Sequence, residues 1–120
     1  MEWTVEDHLS GQPKASIALF HRFVDLLAGI GPFRYAPSKT TITFKESRRG
    51  FGGARPDKRG LVGSLDLQRI IEDDRITRVS PYAAKPFVHH YRITASEQLD
   101  EDFVGWLREA YAIREGALLQ

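Results

Sequence analysis

Lys39, Lys45, His90 and Arg92 are the residues of this chain whose types and positions suit the binding of an anion. Lysine and arginine supply fixed positive charge, and the planar arginine fork matches the oxygens of a phosphate or carboxylate. Histidine adds a charge that switches near neutral pH. His90 lies in the stretch FVHHYRIT, Phe87 to Thr94, directly beside His89. Successive side chains of a strand point to opposite faces. Phe87, His89, Tyr91 and Ile93 therefore share one face, mostly apolar, which should meet helices. Val88, His90, Arg92 and Thr94 share the other. His89 is expected to be buried, neutral and hydrogen-bonded, and His90 to be more accessible. Two adjacent strand residues cannot chelate one metal ion without a bulge, so no metal site is expected here.

The same phase argument collects Thr41, Thr43, Lys45, Val62, Ser64, Asp66, His90 and Arg92 on one polar, net-basic sheet surface. Its bland reading is the solvated face of an antiparallel sheet. Its functional reading is a platform for an anion, a nucleotide or a nucleic-acid backbone. Sheets that bind single strands by sequence display aromatic rings for base stacking. The open phase has none, although Tyr35 and Phe51 could contribute from an edge.

Other chemistries fit less well. Ser64, Asp66 and His90 share a phase, but a nucleophilic serine needs a sharp elbow and an oxyanion hole, and no such motif is visible. GFGGAR lacks the Gly-Lys-Ser/Thr ending of a phosphate loop and is not followed by a helix. Glu72, Asp73 and Asp74 form an acidic run that reads as an exposed turn. His21 has only Asp25 at helical spacing, a weak pair for a metal.

The elements that must position these residues follow from periodicity. Thr4 with Asp7 marks the start of a short helix, stopped by Gly11 and Pro13. Ile17, Phe20, Phe23, Val24, Leu27 and Ile30 make one helical stripe, ended by Gly29, Gly31 and Pro32. The period then changes to two. KTTITFK is a strand, SRRG a turn, FGGAR a short strand, RPDKRG a second turn, and LVGSLDL a strand with Leu61, Gly63, Leu65 and Leu67 in one phase. Residues 68–75 read as irregular or a helical turn, and Ile76 to Ser80 as a further strand. FVHHYRIT supplies the last. A final helix is expected from TASEQLDEDF onward to Gly116, with Leu99, Phe103, Trp106, Leu107, Ala110 and Ile113 on its apolar face. Thr94 with Glu97 is its expected capping box, and Ser96 the alternative cap. Short connections suggest a meander.

Length and composition agree with one α+β domain over residues 1–120: a single antiparallel sheet of four or five strands, with N-terminal and C-terminal helices packed mainly on one face. Of the 120 residues, 42% are hydrophobic and 28% charged, as in a globular chain. No apolar run approaches the roughly 18 residues of a membrane span. MEWTVEDH lacks the basic and apolar regions of a signal peptide, and there is no cysteine, so a cytoplasmic protein without disulfides is expected. The net charge of +1 hides a segregation. Residues 34–59 carry eight basic residues against Glu46 and Asp57, a net +6, and residues 96–120 carry Arg108 and Arg114 against six acids, a net −4.

The stretches WTVEDH, YAPSKTTITF, FVHHYRIT and LDEDFVGWLREAYAIREG together resemble the bacterial family called domain of unknown function 5655, from Trp3 to about Gly116. The resemblance implies a small bacterial domain and supplies no activity. Matching positions are Trp3, Asp7, His8, Pro37, Lys39, Thr40, His89, His90, Arg92, Trp106, Ala110 and Tyr111. Packing accounts for Trp3, Trp106, Ala110 and Tyr111 more readily than for Lys39, His90 and Arg92. The resulting expectation is a binding module whose basic sheet face takes an anionic partner, a nucleic acid or a phosphorylated small molecule, through Lys39, Lys45, His90 and Arg92. No cofactor is implied. The alternatives are a homodimer formed through the sheet face, favoured by Val62, Val88 and Phe51, and a small enzyme using His90 with Lys39 or Asp66.

Overall fold

The computed structural model describes residues 2–46, 50–80 and 86–113. Helices α1 (Val5–Leu9) and α2 (Lys14–Ala28) come first. Strands β1 (Arg34–Pro37), β2 (Ile42–Lys45), β3 (Gly50–Asp57), β4 (Gly60–Leu67), β5 (Ile76–Val79) and β6 (Phe87–Ile93) follow. A 3₁₀ turn (Ser96–Gln98) and helix α3 (Glu101–Ala112) close the described chain. All strand pairs are antiparallel in one six-stranded sheet of order β1-β2-β3-β4-β6-β5.

The sheet has one strand more than the sequence suggested. FRYAP shows no alternation of apolar and polar residues, because β1 is an edge strand that ends at Pro37, where a missing N–H does least harm. The expected meander also holds only through β4. Residues 68–75 then cross the end of the sheet, so that β5 lies at the far edge and β6 returns between β4 and β5. The second expected turn is tighter than RPDKRG: Arg55 to Asp57 remain in β3, and Lys58 and Arg59 alone connect Asp57 to its partner Gly60. Gly60 takes a φ of +136° there, where a side chain would strike the Ile93 carbonyl. Residues 47–49, the body of the first expected turn, lie outside the described residues. The last helix stops short of the expected Gly116: α3 ends at Ala112, and Ile113 is already extended, its amide turned to the Ala110 carbonyl at 3.1 Å.

The short first helix is capped as its sequence implies. Thr4 Oγ1 accepts from the Asp7 amide at 3.1 Å, and the Asp7 carboxylate accepts from the Thr4 amide at 2.9 Å. The third helix begins later than expected. Asp100 is its cap, accepting from the Phe103 amide at 3.0 Å, whereas Gln98 Oε1 gathers the Thr94 and Ala95 amides ahead of it. The expected box at Thr94 and the alternative cap at Ser96 lose to this arrangement because residues 96–98 are spent on the 3₁₀ turn.

The core lies between one face of the sheet and the helices. Phe20, Phe23 and Leu27 from α2 meet Phe44, Leu65, Tyr91 and Ile93 from the strands and Phe103, Leu107 and Ala110 from α3. Phe23 is central: its ring stacks on Phe44 at 5.4 Å and on Tyr91 at 6.1 Å, and meets Phe103 edge-on. The buried Tyr91 hydroxyl donates to the Gly53 carbonyl at 2.9 Å. Gly63, directly opposite Tyr91, has to be glycine because a Cβ would run into that hydroxyl and into Gly53. Phe51 belongs to this core as well and not to an edge of the open face. Between Phe44/Gly52 and Lys45/Gly50 the register shifts, leaving one extra residue on β3. The bulge turns Phe51 inward, where it is 1% exposed and meets the Tyr111 ring at 5.4 Å.

Candidate functional site

The two histidines of β6 separate as the strand phase requires. His89 is fully buried, opposite Leu65 on β4 and Val79 on β5. Its Nε2 accepts from the Ile71 amide at 3.0 Å. A backbone N–H can only donate, so the ring proton sits on Nδ1, which donates to the Phe87 carbonyl at 3.0 Å. His89 is thus a fastener. It satisfies a buried amide of the segment that crosses the sheet end.

Arg75 is the second fastener of that segment, and no periodic pattern pointed to it. It is 9% exposed, donates to Asp73 at 2.9 Å, and reaches the Gln98 carbonyl and the Asp100 carboxylate, each at 2.7 Å. Its guanidinium lies 4.6 Å from the centre of the Trp106 ring. Hydrogen bonding to Arg75 holds the Asp73 and Asp100 carboxyls below their usual range. Asp73 therefore belongs to this clamp, while Glu72 and Asp74 are exposed as an ordinary turn would leave them.

Another fixed contact joins two of the quoted stretches. His8, buried on α1, donates from Nε2 to the Ser38 carbonyl at 2.6 Å, and Trp3 lies against its ring at 5.3 Å. WTVEDH is thereby tied to the β1–β2 loop of YAPSKTT.

On the opposite face of the sheet, His90 pairs with Ser64 on β4 and Arg78 on β5. Arg78 Nη2 lies 3.1 Å and Ser80 Oγ 3.2 Å from His90 Nε2. Partial burial, helped by the nearby Arg78 charge, pushes the His90 imidazole below its usual value. Two residues along the strand, Arg92 grips Asp57 with both arms of its fork, at 2.9 and 2.7 Å. Their side chains are only 21% and 23% exposed. The bond to Arg92, with the Arg59 amide, lowers the Asp57 carboxyl to about 2. Arg55 shares the row of Val62 and Arg92.

The four anticipated residues do not meet at one point. His90 and Arg92 are neighbours on one face of β6, about 7 Å apart by strand geometry. Lys45 ends β2, which β3 and β4 separate from β6, a span of about 14 Å at ordinary strand spacing. Lys39 stands exposed in the β1–β2 loop at the end of the sheet. Arg55 and Arg78 were not anticipated. Arg78 escaped because simple alternation puts it in the phase of Ile76, and the register shift between Ile76 and Arg78 breaks that phase. Only the register could have revealed it.

Fold and surface together define a compact α+β sheet domain with helices on one face and a charged surface on the other. A family model described as Domain of unknown function (DUF5655) matches residues 5–114, and the chain belongs to that family. Comparison with curated proteins finds no match, and neither does comparison with solved structures. No helix among the described residues is long and apolar enough to cross a membrane.

Proposed function

We propose that the domain is a binding module that presents its helix-free sheet face to a partner bearing phosphate groups, a nucleic acid or a phosphorylated small molecule. One observation carries the reading: the charge on that face is lopsided. Lys45, Arg55, Arg78 and Arg92 stand on it against Asp57 and Asp66, with His90 in their midst. Lys39, Lys58 and Arg59 add exposed charge at one end of the sheet, where the β1–β2 and β3–β4 connections lie. Such a field steers anions and contributes salt-dependent affinity.

The test is a titration with short DNA, RNA and a panel of nucleotides at low and moderate salt. Binding should weaken as salt rises, and Arg92→Ala should weaken it more than Arg59→Ala. Arg92 is held in place, and its removal also leaves Asp57 as an unneutralised acid facing the ligand. Equal losses, or no binding at low salt, would overturn the reading. A homodimer through the same face is the second reading. Half-buried Val62 and Val88 favour it, but Phe51 does not contribute, since it lies in the core. Light scattering of the same samples decides that point. An enzyme built on His90 fits less well, because the groups at Nε2 are a guanidinium and a hydroxyl, where a general base is ordinarily oriented by a carboxylate.

A further inference from the structure

We propose that Arg78, Ser80 and His90 form a seat for a single phosphate group, such as that of a phosphomonoester. The inference rests on the open-face reading and narrows it to one place and one ligand chemistry.

Donors outnumber acceptors around His90 Nε2. A neutral imidazole offers one lone pair at Nε2. Arg78 Nη2 and Ser80 Oγ both stand within 3.2 Å of it. The guanidinium can only donate, so the hydroxyl proton competes with it for the same lone pair. Among the described residues no carboxylate lies within ion-pair distance of Arg78. The cluster therefore has donors and positive charge in excess of its acceptors. A phosphate reverses that balance, because its oxygens accept from the Arg78 fork, from the Ser80 hydroxyl and from a protonated His90 Nε2 at once. Ser64, across from His90 on β4, adds a hydroxyl within the same row.

The surrounding charges leave this seat usable. Arg92, next on β6, is occupied by Asp57 of β3. Asp66 on β4 pairs with Val88, one row away on the same face, and opposes an anion from that side. His89 is turned to the other face. In the free protein burial and the Arg78 charge disfavour the charged form of His90. A bound anion reverses that preference, so binding takes up a proton and strengthens as pH falls.

The experiment follows the histidine ring resonances by NMR across pH, with inorganic phosphate or sulfate against sodium chloride at equal ionic strength. Sulfate keeps its charge over the range and so removes the titration of the ligand itself. Both oxyanions are expected to raise the His90 midpoint by about half a pH unit or more. Arg78→Ala is expected to weaken phosphate binding about tenfold, and Arg78→Lys less. His90→Asn should bind like the parent at pH 8 and lose the gain at pH 6. A His90 midpoint that moves equally in chloride, or an Arg78→Ala variant that binds phosphate undiminished, overturns the seat. If oligonucleotides still bind in a salt-dependent way while phosphate leaves His90 untouched, the seat alone falls. Loss of both responses removes the open-face reading as well.

Discussion

His89 and His90 are consecutive in the chain and live in different solvents. His89 faces the helices, has no access to water, and spends both ring nitrogens on backbone groups. His90 faces away from them, half-buried, and shares one nitrogen between an arginine and a serine. The first arrangement is closed, since each donor has its acceptor. The second is open, since donors outnumber acceptors. The contrast extends to the two faces of the sheet. On the helix side His89, Arg75 and Tyr91 each have their polar atoms matched; on the other side charge is abundant, and Arg78 has no carboxylate within ion-pair distance among the described residues. A residue type alone therefore says little here, and the strand phase decides which role a histidine takes.

The largest effect that would break this contrast concerns the helix side. Trp106 packs on Phe103 and carries the Arg75 guanidinium on its ring. Trp106→Ala should destabilise the domain by about 3–5 kcal/mol, read as a sharp fall in melting temperature. A variant melting like the parent would show that α3 does not pack on the sheet as described. Next comes the histidine pair itself. His89→Ala leaves the buried Ile71 amide without an acceptor and opens a cavity, a loss of about 2–4 kcal/mol. His90→Ala should cost no more than about 0.5 kcal/mol. Urea denaturation of both variants measures the difference, and equal losses would erase the distinction between the faces.

A smaller effect separates the acid behaviour of the open face. The Asp57 carboxyl titrates at about 2, lower in the folded protein than in the unfolded chain. Its contribution is fully present above about pH 4 and is lost as pH falls toward 2, on the order of 1 kcal/mol once solvent screening is allowed for. Asp57→Asn should flatten part of the acid limb of a stability–pH curve. Asp73 and Asp100, lowered by Arg75, add to that limb on the helix side. An unchanged limb in Asp57→Asn would mean that the Arg92 clamp adds nothing in solution.

Regular alternation made much of the molecule legible in advance. The phase of FVHHYRIT separated His89 from His90, and the leucines of LVGSLDL marked the core face of β4. The misses fall where periodicity fails. The four residues of β1 are too few and too irregular to show a period. The bulge at Phe51 reverses the phase of its strand, and the shift at Ile76/Arg78 hides Arg78. Arg75 and Ile71 lie in a segment with no period, and their roles depend on partners 18 to 25 residues away in the chain. The insertion of β6 between β4 and β5 is a long-range pairing choice that local pattern does not encode.

That insertion also orders events in time. Strand β5 is complete in the chain before β6 exists, yet among the described residues β6 is its only neighbour in the sheet. When the chain emerges from its N-terminus, Ile76–Val79 has no ladder to join until residues 87–93 have followed it. Residues 68–79 therefore become ordered by capture, when His89 arrives to receive the Ile71 amide and the Arg92 amide reaches the Arg75 carbonyl. Non-local pairing of this kind slows folding relative to a plain meander. It also leaves an unpaired strand exposed in the nascent chain, a window in which the protein is most open to association with others of its kind.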